Sequence, residues 1–266
     1  MKLVDLQYEK SGHTATITLD REAARNAYSS EMITSLEQAF DAAEHDADVR
    51  VVILTGAGNA FSAGGDVKAM LDKTGMFAGE PFELRGRYLD GIHRVPRRIA
   101  RFDKPLIAAV NGPAIGAGLD LACMADIRIA AQGARFGSTF VKLGIVPGDG
   151  GAFLLSRVVG FPRALELMLS GRLIDTNEAE RIGLVHEVVA PADLMQAARN
   201  KAAQIAENGP IAVRLTKAAC YQAQHMTLDA ALTLAATYQG IAQNSHDHLE
   251  GVRAMLDKRA PDFKAR

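Results

Sequence analysis

Two stretches decide how the chain is read: Asn111-Gly112-Pro113-Ala114-Ile115-Gly116-Ala117-Gly118-Leu119-Asp120, and after it Gly144-Ile145-Val146-Pro147-Gly148-Asp149-Gly150-Gly151. Each is a glycine-rich turn that opens a helix and carries one carboxylate close to bare backbone amides. N–H groups converging at a helix start can hold a developing oxyanion. A carboxylate beside them can move protons. The two turns together predict a site for enolate chemistry.

The elements around these turns set the fold class. Residues 3–20 alternate apolar and polar, with Ala15, Ile17 and Leu19 on one face and Ser11-Gly12 as a turn, which predicts a hairpin. Ser29 or Ser30 caps a helix whose apolar stripe is Met32, Ile33, Leu36, Ala39, Phe40 and Ala43. Val49–Leu54 reads as a strand buried on both faces, ended by Gly56-Ala57-Gly58. A helical segment near Phe82–Phe102 leads to the strand Leu106–Val110, the first glycine turn, a helix through Cys123, and the strand Asp126–Ala131. This alternation predicts an α/β fold with parallel pairing.

After Gly151 the texture becomes helical, over 152–169, 191–207, 211–224, 228–243 and 246–258, with Val185–Val189 as a lone strand. The expected division is an α/β core over 1–200 that carries the turns, and a helical region over 201–266 that covers the core or packs on a neighbouring subunit. Residues 72–82, with Gly75, Gly79 and Pro81, read as a loop beside the site. Met70, Leu71, Met76, Phe77 and Phe82 either line its acyl pocket or belong to the ordinary core.

The composition excludes several classes. The chain has 266 residues and a formal net charge of −1, which gives no global electrostatic case for nucleic acid or an anionic membrane. Cys123 and Cys220 lie far apart and read as reduced core thiols, neither a disulfide nor a metal framework. No apolar run is long enough to span a bilayer, and Met1-Lys2-Leu3-Val4-Asp5 lacks a signal-peptide core, so a soluble cytoplasmic protein is expected. His246 and His248 do not share a helix face and make a poor metal site, so no metal is expected. His93, among Arg94, Arg97 and Arg98, reads as a surface residue, and Asp126 as a structural hydrogen-bonding carboxylate.

Each carboxylate in the turns has two readings. In Phe61-Ser62-Ala63-Gly64-Gly65-Asp66-Val67, Asp66 is either a helix cap or part of a ligand-binding turn. Asp120 lies one turn into its helix, where it either complements the helix dipole or faces whatever the first-turn amides bind. Asp149 is either an N-cap or a second acid/base group opposite Asp120.

Taken together the segments resemble the crotonase, or enoyl-CoA hydratase/isomerase, family over essentially the whole chain. The resemblance is carried by Arg25-Asn26-Ala27, Phe61–Val67, Val110–Leu121, Ala125-Asp126-Ile127-Arg128-Ile129-Ala130, Gly144–Gly151 and Lys258-Arg259-Ala260-Pro261-Asp262-Phe263, in that order. It implies a spiral of β-β-α units with a C-terminal helical domain, assembled as a homotrimer or a dimer of trimers. It also implies an acyl-CoA thioester substrate and no separate cofactor, CoA being part of the substrate. By the same resemblance the oxyanion hole falls on the N–H groups of Gly65 and Ala117. Arg25, Ala27, Ala63, Gly64, Asp66 and Val67 would line the CoA path, and Phe263 and Lys264 would reach the adenine end, in a neighbouring subunit.

The chain also departs from the family pattern. Hydratases hold a water between two glutamates. The first position is Asp120, a shorter carboxylate, and the second is Phe140, which cannot transfer a proton. Asp149 stands where many hydratases have a small residue. The expectation is an acyl-CoA enzyme of the hydratase/isomerase type, a lyase or isomerase working through a thioester enolate with Asp120 and Asp149 as its acid/base pair. The alternatives are thioester hydrolysis, C–C cleavage or decarboxylation at the same oxyanion hole, or acyl-CoA binding without catalysis.

Overall fold

The centre of the sheet is built from two short runs buried on both sides, Val51–Thr55 and Leu106–Val110. In a computed structural model, which describes residues 1–266, the strands are β1 Leu6–Ser11, β2 Thr14–Leu19, β3 Val51–Gly56, β4 Leu106–Val110, β5 Ala114–Ile115, β6 Ile127–Ala131, β7 Phe136–Gly137 and β8 Glu187–Val189. Six of them form one sheet in the order β1-β2-β3-β4-β6-β8. Only β1 and β2 are antiparallel; the other neighbours run parallel. β5 and β7 form a second, parallel pair. The hairpin is as expected, and Ala15, Ile17 and Leu19 are fully buried. The one strand expected after Gly151, at Val185–Val189, is present as Glu187–Val189 and joins the edge of the main sheet beside β6.

The helices are α1 Ser30–His45, α2 Val67–Leu71, α3 Pro81–Asp90, α4 Arg94–Ala100, α5 Ala117–Cys123, α6 Gly151–Val159, α7 Phe161–Ser170, α8 Thr176–Arg181, α9 Leu194–Ala206, α10 Pro210–Ala223, α11 Leu228–Gln243 and α12 His246–Leu256. Ser29 caps α1 by accepting from the Met32 N–H, and the expected stripe is buried. Two segments expected to be continuous are broken. Phe82–Phe102 divides at Gly91, whose φ of −107° and ψ of −107° are not helical. Residues 152–169 divide at Gly160, with φ 82°, just before Pro162.

A repeated unit emerges. β3, the Ser62 bridge to Ala114, and α2 make one turn; β4, β5 and α5 make the next; β6, β7 and the segment leading to α6 make a third. Successive turns stack as a spiral of β-β-α units, which places the chain after each second strand side by side. Those are the three segments that carry Gly65, Ala117 and Asp149.

The main core lies on one face of the sheet around Phe40, Phe61, Phe102 and Phe136. The other face is covered by α9, through Leu194, Ala198, Ala202 and Ala206 against Val51, Ile53, Ile107 and Ile129. Residue 200 therefore lies inside a helix that belongs to the core, and the helical region set apart from it begins at α10. Of α10 only Pro210 is buried, and of α11 no residue. Cys220, on α10, is accordingly exposed and not the core thiol expected, whereas Cys123 is buried and its thiol is pushed up to about 12 by burial. No helix is long and apolar enough to cross a membrane.

Candidate active site

Two glycines let the first two turns approach each other. Gly64 has φ 82°, and a Cβ there would strike the Ile115 carbonyl and come within 2.9 Å of the Ala117 nitrogen. Gly116, with φ 55° and ψ −122°, turns β5 abruptly into α5. The consequence is chemical. Neither the Gly65 N–H nor the Ala117 N–H donates a hydrogen bond within the chain. Both residues line a cavity of about 230 Å³ walled mainly by apolar side chains. Two unpaired donors in such a wall can stabilise an oxyanion more than water would.

Asp149 lines the same cavity and is 4% exposed. It is not an N-cap: the residue before α6 is Gly150, at φ 106°, and no side chain caps that helix. Asp120 is fully buried and does not reach the cavity wall, contrary to the expectation that it faces the ligand. All seven residues of α5 are buried, so its inward face points Asp120 at the start of α6. There a Cβ on Gly151 would collide with both Asp120 carboxylate oxygens. Glycine at 151 is what admits the carboxyl.

The two aspartates act on each other. None of their four oxygens meets a donor at full hydrogen-bond geometry within the chain, although the nearby Gly151 N–H works against the rise on Asp120. Burial raises the Asp120 carboxyl well above its ordinary value, and the charge on Asp149 raises it further. Burial also raises Asp149, but the hydrogen bond from Asp120 opposes that rise. A proton shared between them supplies a donor to the pair, and of the two carboxyls Asp120 is held further toward its protonated form. This is the behaviour of a pair of carboxyls sharing one proton.

His93 is not a free surface residue. Its Nε2 lies 2.6 Å from the Gly148 carbonyl, and its charge opposes the rise on Asp149. Tyr88 packs edge-on against His93 and also lines the cavity. Tyr28, 3% exposed, lines it as well. These three residues were missed in the sequence. The signal for Tyr28 was its place directly after Arg25-Asn26-Ala27; for Tyr88 and His93 there was none, since only the tertiary fold brings them to Gly148.

The other expected site residues divide. Ala63, Val67 and Phe140 line the cavity, as do Met70, Met76 and Phe77, while Leu71 and Phe82 are exposed at 82% and 83%. The Phe140 ring would lie 3.7 Å from a Cβ on Gly116, an apolar surface where a proton-transferring group was in question. Gly64 sits behind the wall, its carbonyl accepting from Tyr28 N–H at 2.8 Å. Arg25 is exposed, and its carbonyl accepts from the Ala63 N–H. Ala27 is buried, off the cavity wall. Asp66 realises its capping alternative: it accepts from Ala69 N–H at 3.1 Å and pairs with Arg21 at 3.0 Å, which hold its carboxyl below the ordinary value. Its carboxylate is thus committed away from a ligand.

Phe263 and Lys264 are not brought to this chain's cavity. The Phe263 carbonyl accepts from Arg50, and the Lys264 N–H donates to Asp247 on α12. Asp126 is structural, as expected, accepting from Leu106 N–H, Lys217 and Tyr221.

A spiral of β-β-α turns with two free amides and the Asp149 carboxyl on one cavity wall defines a site for acyl-thioester chemistry, and the relatives agree. The model of the Enoyl-CoA hydratase/isomerase family matches residues 9–266. The short-chain-enoyl-CoA hydratase of Clostridium acetobutylicum is 38% identical over 260 residues, covering 97% of each chain. The crotonyl-CoA hydratase of Syntrophomonas wolfei is 38% identical over 256 residues, covering 96% of each. The crystal structure of an enoyl-CoA hydratase from Bacillus anthracis superposes with a TM-score of 0.93 at 35% identity, over 99% of this chain and 100% of that one. The chain belongs to the enoyl-CoA hydratase/isomerase, or crotonase, family. It is an acyl-CoA-processing enzyme of the hydratase/isomerase type.

Proposed function

We propose that the enzyme adds water reversibly across the double bond of a short 2-enoyl-CoA. The observation that carries this reading is the position of Asp149 on the wall of a mainly apolar cavity that the free Gly65 and Ala117 amides share, with the buried Asp120 behind it. Asp149 takes a proton from water as the water oxygen bonds to C3. The C2=C3 electron pair moves toward C1, and charge collects on the thioester oxygen. The Gly65 and Ala117 N–H groups hold that oxygen, each worth roughly 3 kcal/mol in the transition state. C2 then takes a proton from the carboxyl pair, which returns to one shared proton. A positioned acid/base group adds roughly 10²–10⁴-fold. No step calls for a metal or a redox cofactor.

A cavity of about 230 Å³ is smaller than the roughly 300–1,000 Å³ typical of ligand pockets, which supports a short acyl group. The names of the Clostridium and Syntrophomonas relatives support the same choice. One observation favours a second reading, double-bond isomerisation. Phe140 puts an aromatic ring on the wall where family hydratases carry their second glutamate, and isomerisation needs only one base.

Incubating matched 2-enoyl- and 3-enoyl-CoA substrates in D₂O separates the two. Hydration yields 3-hydroxyacyl-CoA carrying deuterium at C2; isomerisation yields only the shifted double bond. Asp149→Asn lowers either rate by at least about 100-fold, and undiminished turnover removes Asp149 from the mechanism. Free CoA, a shortened acyl chain or CO₂ as product, or tight binding without turnover, contradicts both readings.

The assembly belongs to the same proposal: a homotrimer or dimer of trimers. It is supported by α11, none of whose residues is fully buried within the chain, and by Leu228, Leu232, Met255 and Leu256, all strongly exposed. In it Phe263 and Lys264 would meet CoA bound to a neighbouring subunit.

A further inference from the structure

Tyr28 is a buried phenol that the acid/base scheme leaves unused. It is 3% exposed, its ring is on the cavity wall, and its hydroxyl has no hydrogen-bond partner. Its placement is fixed from both sides. The Tyr28 N–H donates to the Gly64 carbonyl at 2.8 Å, one residue before the free amide of Gly65. Upstream, the Asn26 side chain donates to the Ala57 and Ala60 carbonyls and accepts from the Arg21 N–H. Downstream, Ser29 caps α1 and donates to Asp5. The phenol is therefore held in register with the oxyanion donors. Buried tyrosine hydroxyls normally find a partner, and leaving one unpaired costs stability.

The neighbouring groups specify the partner. Asp149 is on the same wall, and the charges of Asp149 and Asp120 both act on the phenol. The Asp149 carboxylate lacks an outside donor, and the phenol lacks an acceptor. An oxygen that carries a proton and a lone pair satisfies both, donating to Asp149 and accepting from Tyr28. Buried water and alcohol oxygens bind where several unpaired polar groups converge in this way.

We infer that Tyr28 is a further catalytic residue, whose O–H donates to the oxygen being added at, or removed from, acyl C3. It thereby takes the water-holding part that Phe140 cannot. The inference rests on the hydration reading above. Burial, with Asp149 and Asp120 nearby, pushes the phenol well above its ordinary value, so Tyr28 keeps its proton and acts as a donor, not a base.

The test compares the wild type with Tyr28→Phe on three readouts. These are hydration of crotonyl-CoA, deuterium exchange at C2 of butyryl-CoA (which has no C3 oxygen), and binding of 3-hydroxybutyryl-CoA against butyryl-CoA. Hydration falls at least about tenfold, the preference for the hydroxylated ester falls by a similar factor, and C2 exchange stays within about twofold. The melting temperature holds or rises, because no bond within the chain is lost. Unchanged hydration in the variant, or hydration and exchange falling together, overturns the inference alone. A wild type that exchanges at C2 but hydrates nothing overturns the hydration reading and this inference with it.

Discussion

Asp120→Asn should make the protein more stable and less active at once. Asp120 is fully exposed to solvent in the unfolded chain, where its carboxyl ionises near the ordinary value of 3.8. In the folded chain burial and Asp149 keep it protonated to higher pH. Between the two values the folded state binds more protons, so stability falls as pH rises, and the loss is constant above the folded value. A carboxamide at 120 has no charge to lose and donates an N–H to Asp149. Relieving a buried carboxyl of the desolvation and proton uptake that folding demands of it is worth about 1–3 kcal/mol. At about 2–4 °C per kcal/mol for a chain of this size, the melting temperature at pH 7 rises by about 2–12 °C. The gain shrinks as pH is lowered toward 3.8 and is lost below it, where the wild-type carboxyl is protonated in both states. Turnover falls by roughly 100-fold, because the pair can no longer exchange its proton with C2. Scanning calorimetry from pH 4 to 8, beside initial rates, checks both halves. A melting temperature that is unchanged or lower at pH 7 refutes the view that Asp120 is a desolvated carboxyl coupled to Asp149.

Two other substitutions probe the frame of the site. Ala117→Pro removes one oxyanion donor at the first position of α5, where proline is tolerated and Gly116 precedes it. The turnover number should fall about 10²–10³-fold with little change in melting temperature, as steady-state rates and a thermal melt will show. Gly151→Ala drives a methyl against both oxygens of Asp120. It should destabilise by about 1–3 kcal/mol and lower turnover, and a wild-type melt would mean that Asp120 does not pack on α6.

Much of the fold was legible because periodicity survives folding. The stripe of α1 and the alternation of β2 point inward as their spacing requires. What escaped was decided by tertiary geometry. Helix breaks at Gly91 and Gly160 depend on single backbone conformations that a permissive residue allows and does not announce. Two-residue strands such as β5 and β7 have no period to read. At the site, spacing could show that Asp120 lies one turn into its helix, but not that the helix faces the core on every side. The alternative of Asp149 as a cap was settled by the left-handed conformation of Gly150, which moves the helix start past it. Tyr28 and His93 gain their places only because the β3, β4 and β6 turns stack, which brings Gly65 and Gly148 to one cavity.

The central claim is that Asp149, beside the Gly65 and Ala117 amides, is the group that exchanges protons with the acyl chain. A crystal structure of the Asp149→Asn variant with a bound 2-enoyl-CoA tests it most directly. The thioester oxygen should lie about 2.7–3.1 Å from both amide nitrogens, with the side chain of residue 149 against C2 and C3. A thioester oxygen bound elsewhere, or residue 149 turned away from the acyl chain, would contradict it.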